Sequence, residues 1–145
     1  MRALLALVTA LIVPALPVLA TEDGGKPRAD YLLYCAGCHG MQGLGTVEGG
    51  IPAFPDSVAH IAGIDIGRTY IMHVPGVIST ELDAADTANV LNYILDQWGD
   101  GKDHFTAKEV VERKAIPIGD VVVYRRKVVE ELARSGITLA EYPWP

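Results

Sequence analysis

The chain has 145 residues, 50% of them apolar, with 18 acidic residues against 12 basic ones and a formal charge of −6. That is enough chain for one domain with a buried core, too apolar for a disordered segment, and too acidic for a nucleic-acid binder, which needs a surplus of Lys and Arg. Two cysteines are too few for the disulfide framework of a small secreted fold.

Residues 1–20 carry much of the hydrophobicity. Arg2 precedes an apolar run from Ala3 to Val13, Pro14 and Pro17 interrupt it, and Val18-Leu19-Ala20 leads into polar Thr21-Glu22-Asp23. This is the pattern of a secretory signal peptide cleaved after Ala20. A membrane anchor would need about 20 unbroken apolar residues. The expectation is an exported, acidic chain with no membrane span once the signal is removed. Residues 21–26 then read as a polar, flexible lead.

Pro27 opens a segment, Arg28-Ala-Asp-Tyr-Leu-Leu-Tyr-Cys35, that fits a helix with Pro at its first position. From Gly40 to Pro55 the chain holds five glycines and two prolines and shows neither helical nor strand periodicity, so it reads as a long loop that must pack on something. Short helices are expected over 56–62 and 65–73. A longer one runs from Asp83 to Trp98, with Ala84, Ala88, Leu91, Ile94, Leu95 and Trp98 on one face, Asp83 as its N-cap and Gly99 as its stop. Thr106-Ala-Lys-Glu109 is a capping box opening another helix. A last helix spans Ile118 to Arg134, with Arg125, Arg126 and Lys127 clustered on it and Gly136 ending it. The fold class is all-α, with residues 27–99 as the main domain and 100–145 as a helical C-terminal extension.

The chemistry is concentrated in Cys35-Ala36-Gly37-Cys38-His39. Two thiols one helical turn apart can add to the two vinyl groups of a haem, and the adjacent histidine then lies under the iron as its proximal ligand. Three other uses compete. A zinc site needs two more Cys or His ligands at suitable spacing, and no second pair exists. A thioredoxin-like redox pair needs a βαβ context. A plain disulfide remains open in an oxidising compartment. The spacing and the export signal together favour one covalent haem c on Cys35 and Cys38, with His39 on the iron.

From about Pro27 to Trp98 the chain resembles the class I cytochrome c family. Tyr31 stands four positions before Cys35, where that family has an aromatic residue. Tyr93-Ile94 looks like the aromatic–aliphatic pair of the family's last core helix, which crosses the first. Pro27 replaces the usual glycine, which implies a looser crossing. The resemblance implies a helical fold around one covalent haem and a distal methionine in a Met-Pro loop. Here that segment is Tyr70-Ile71-Met72-His73-Val74-Pro75-Gly76, so Met72 is the candidate distal iron ligand, with His73 as runner-up and Met41 or an open site behind them. Arg68 is a candidate for pairing with a haem propionate. His60 and His104 have no partner at metal-binding spacing and read as surface residues.

Function follows as an expectation: an exported, periplasmic carrier of single electrons. Its donor would be an exported dehydrogenase and its acceptor an oxidase or peroxidase, with no nucleic acid as partner. Two alternatives stand beside it. An open sixth position would make a peroxidase-like or gas-binding haem protein, and a docking role for residues 101–145 would make a fixed electron-transfer subunit.

Overall fold

The computed structural model describes residues 25–140, so the expected signal peptide, the start of the lead and the terminal Tyr142-Pro143-Trp144-Pro145 lie outside it. Eight helices follow in order: α1 (Gly25–Tyr34), α2 (Ala36–His39), α3 (Val58–Ala62), α4 (Asp65–Ile71), α5 (Pro75–Ile78), α6 (Ala84–Trp98), α7 (Ala107–Lys114) and α8 (Val121–Arg134). Among the described residues there is no strand, only one antiparallel bridge between Thr46 and Ile51. No helix among them is long and apolar enough to cross a membrane.

α1 begins two residues earlier than its proline suggested, so Gly25 and Lys26 are helical rather than part of a lead. Lys26 Nζ is 2.9 Å from Asp30 and 2.7 Å from Asp86, which ties the first turn of α1 to that of α6. α6 buries Ala88, Leu91, Ile94 and Leu95 along the face its periodicity marks, and Asp83 caps it by accepting from the Asp86 N–H at 2.8 Å. α1 and α6 pack against each other over their lengths despite Pro27. An aromatic cluster fills the crossing, with the Tyr31 ring 5.7 Å from Tyr93 and 4.9 Å from Trp98.

The extension is built into this core. Thr106 caps α7 through the Glu109 N–H at 3.2 Å, as the capping box requires. α8 starts at Val121 instead of Ile118, because Gly119 adopts a positive φ of 72° and Asp120 becomes the cap, accepting from Val122 and Val123. α7 packs on α6 and α4, and α8 on α4 and α3. Phe105, Val110, Val128, Leu132 and Leu139 belong to the same buried cluster as Tyr31, Met72 and Leu95.

Candidate haem-binding site

α2 is a single turn that continues α1 after a break at Cys35. The N–H groups of Cys38 and His39 both donate to the Cys35 carbonyl, at 3.2 and 3.0 Å, and that of Gly40 to Ala36 at 2.8 Å. Residues three and four positions after Cys35 are thereby brought onto its side of the turn. Cys35, Cys38 and His39 accordingly line one cavity. The two sulfurs are not bonded to each other. Burial pushes the Cys35 thiol up to about 11, so it is a neutral thiol and not the activated thiolate of a redox pair.

His39 is held by the glycine-rich loop. Its Nδ1 lies 3.0 Å from the Pro52 carbonyl. A carbonyl only accepts, so Nδ1 carries the proton and Nε2 is left with a free lone pair for a metal. The Phe54 ring stacks on the imidazole, with centroids 4.0 Å apart and planes 15° from parallel. Burial lowers the histidine's proton affinity, partly offset by the bond to Pro52, which favours the neutral, ligating form.

The loop is ordered by its own backbone. Thr46 and Ile51 exchange N–H···O bonds of 3.0 and 2.9 Å, the Gly45 N–H donates to the His39 carbonyl at 2.9 Å, and that of Phe54 to Gly43 at 2.7 Å. Two of its glycines are needed for space. At Gly43 (φ 67°) a Cβ would press on Trp98 at 2.9 Å, and at Gly45 (φ 59°) it would overlap the Ile51 carbonyl. The Tyr31 hydroxyl donates to the Gly40 carbonyl at 2.5 Å, linking the aromatic cluster to the haem motif.

The cavity has a volume of 430 Å³, within the range of small-molecule and cofactor sites. Its walls are mostly apolar: Ile51 to Phe54 from the loop, Val58 and Ile61 from α3, Tyr70 to Val77 in part, Val90, Leu91 and Ile94 from α6, and Val121 and Val122 from α8. Two thiols, one imidazole and an apolar slot suit a flat, largely apolar macrocycle better than a bare ion. Among the described residues no three or more His, Cys, Asp or Glu side chains converge to hold a metal directly.

Two curated relatives decide the family. The sequence is 34% identical over 120 residues to a cytochrome c-552 of Thermus thermophilus, covering 67% of this chain and 78% of the relative. The chain belongs to the class I cytochrome c family. A second cytochrome c-552 from Thermus thermophilus is 34% identical over 116 residues, covering 64% of this chain and 85% of that protein. No family model matches the chain, and no solved structure matches it. Membership of this cytochrome c family carries electron transport with haem iron, and the helical architecture agrees with it.

The remaining sequence candidates fall elsewhere. Met72 is fully buried in the core and does not line the cavity. Its neighbours Tyr70 and Ile71, at the end of α4, and the extended Val74 do. His73 is likewise absent from the lining, its Nδ1 drawn back to the Thr69 carbonyl at 2.9 Å. Met41 is 55% exposed. Neither Met72 nor His73 thus forms a wall of the cavity in this structure.

Arg68 also points away, and it makes no wall of the cavity. Its Nε and Nη2 grip Glu109 at 2.6 and 2.7 Å, Nη1 reaches the Ala62 and Asp103 carbonyls at 3.0 and 2.6 Å, and Nη2 the His104 carbonyl at 3.2 Å. A guanidinium has five N–H donors, and all are spent on the extension and α3. The propionate reading of Arg68 gives way to a structural one. His104 bonds Asp96 at 2.8 Å on the surface, and His60 is exposed. Sequence reasoning did not single out Pro52 or Phe54. Phe54 lies fifteen residues beyond His39, and only the folded loop reveals the stacking.

Proposed function

We propose that this chain is an exported monohaem cytochrome carrying single electrons, with Cys35 and Cys38 bound covalently to one haem c and His39 on its iron. The observation that carries the reading is the convergence of both sulfurs and an Nε2-available imidazole on one apolar cavity. When bound, the haem supplies an iron that cycles between Fe(III) and Fe(II). The chain's own residues do the rest. Pro52 and Phe54 fix the ring of His39, the apolar walls exclude water, and the acidic balance steers encounters with basic patches on partners. An exported dehydrogenase as donor and an oxidase or peroxidase as acceptor fit that chemistry. The export pattern of residues 1–20 supports a periplasmic location.

The test is to express the chain with its leader in a host that matures c-type cytochromes. The haem should stay on the polypeptide after acid–acetone extraction and be lost from Cys35→Ala/Cys38→Ala. Electron exchange with a soluble redox dye should be reversible. Haem that extracts freely would overturn the reading.

The placement of Met72 and His73 favours a second reading, in which the sixth position takes an external ligand. Low-spin oxidised and reduced spectra that ignore added carbon monoxide would exclude it. A high-spin ferrous form that binds carbon monoxide stoichiometrically would establish it over the simple carrier.

A further inference from the structure

We propose that Arg125, on the C-terminal extension, is the cation that receives a haem propionate in this cavity; the assignment rests on the haem reading above. α8 turns Val121, Val122 and Arg125 toward the cavity, positions i, i+1 and i+4 that share one helical face. The stripe continues into the core through Val128 and Leu132, both essentially inaccessible to solvent. Arg125 therefore occupies a core-facing position, half-buried, while Arg126 and Lys127 beside it are exposed.

The chemistry of the lining supports this position. Among the described residues that form the walls, Arg125 is the one permanently charged side chain, and the lining includes no carboxylate. A haem is apolar over its macrocycle and anionic only at its propionate edge. An apolar cavity with a single guanidinium on its wall is the complement of that distribution, and the guanidinium fork suits a carboxylate in two parallel bonds. Arg68, on α4, lies outside the lining and is held by Glu109 and backbone carbonyls. The extension thus contributes a charged contact to the cofactor as well as a wall.

A fixed positive charge near the iron favours Fe(II) over Fe(III), so its removal must lower the reduction potential. The test is a spectroelectrochemical titration of the haem-loaded protein with three variants. Arg125→Gln should move the Fe(III)/Fe(II) ratio at fixed ambient potential about tenfold toward Fe(III), which is 59 mV for one electron. Arg125→Lys, which keeps the charge, and Arg126→Gln, which removes one from the exposed side of the same turn, should each stay within about twofold of wild type. A shift in Arg125→Gln no larger than in Arg126→Gln overturns the assignment, as does an equal shift in Arg125→Lys.

A second readout needs only the charge-keeping variant. Replacing a fork by a point charge should move the propionate bending band in the resonance Raman spectrum of Arg125→Lys, and an unmoved band overturns the assignment. A chain that retains no haem after extraction defeats the haem reading itself. A haem-loaded chain with an unmoved potential defeats only the role of Arg125.

Discussion

Glu109 is the carboxylate on which the extension and the core meet. Its Oε1 accepts from Arg68 Nε at 2.6 Å and from Arg113 Nε at 2.7 Å, and its Oε2 from Arg68 Nη2 at 2.7 Å. The Arg68 contact above all, with help from Arg113 against the cost of burial, lowers the carboxyl from 4.5 to about 2. At about 1.4 kcal/mol for each tenfold change in acidity, that depression corresponds to a ceiling of about 3 kcal/mol. The Glu109 side chain is 20% exposed, so screening reduces the expected contribution to about 2 kcal/mol. A depressed carboxyl stabilises fully above its unfolded value, near 4.5, and loses that contribution as pH falls toward about 2. Glu109→Gln should therefore cost about 2–3 kcal/mol in urea unfolding at pH 7, including the two guanidinium groups left facing a neutral amide. The gap between wild type and variant should fall by more than half at pH 3, where Glu109 is protonated in the unfolded chain but still largely ionised in the fold. Titrations elsewhere cancel in the difference. A gap that is constant from pH 7 to pH 3, or smaller than about 0.5 kcal/mol at pH 7, would refute the reasoning.

Other consequences can be measured in the same way. Leu132→Ala removes a 1% exposed side chain of α8 from the common core and should lower stability by about 2–4 kcal/mol in chemical denaturation, with loss of helical signal in a single transition. Asn92 exchanges hydrogen bonds with the Phe105 backbone at 3.0 and 2.6 Å, so Asn92→Ala should cost about 2 kcal/mol and raise amide exchange at Phe105. Gly67→Ala would drive a Cβ into the Ile61 carbonyl where α3 and α4 meet; it should destabilise by more than about 2 kcal/mol, read as a fall in melting temperature. Met72→Ala should cost about 2–5 kcal/mol as a core cavity yet leave the spin state of the haem unchanged in its visible spectrum.

The parts of this molecule that were legible in the sequence are those fixed by local chemistry. Asp83 and Thr106 cap the helices they were expected to cap, because a side-chain oxygen reaches an N–H three residues on whatever the tertiary context. The Cys35–His39 spacing places three donors on one turn for the same reason. Tyr31 and Tyr93 meet in the crossing of α1 and α6, as the family resemblance implied. The failures are non-local. α5 was missed because the family resemblance set Pro75 in a Met-Pro loop, although it sits at the first position of a helix that continues for one turn. Met72 and His73 lie beside residues that line the cavity, and only the path of the turn between α4 and α5 sets where they lie. Arg68 and Arg125 look interchangeable in composition. Their roles separate because α4 turns Arg68 toward a carboxylate 41 residues away.

That separation bears on why the extension exists within the fold. α7 brings one acid, Glu109, and one base, Arg113, to α4, which supplies Arg68 and Asp65; the contact is closed by bonds of 2.6 to 2.7 Å in each direction. Two positive and two negative groups balance there, so this contact carries no net charge. α8 then packs on the other flank of α3 and α4 with valines and one arginine directed inward. The apolar residues could be supplied by any amphipathic helix. An arginine in the middle of that stripe is different, because it sets a permanent charge on a wall that includes no acidic residue, where a low dielectric strengthens its field. The haem that the family binds carries its anions at its edge. Among the described residues Arg125 is therefore the one charged side chain that the extension places on the cavity wall, and it is there that the extension's charge would meet a propionate.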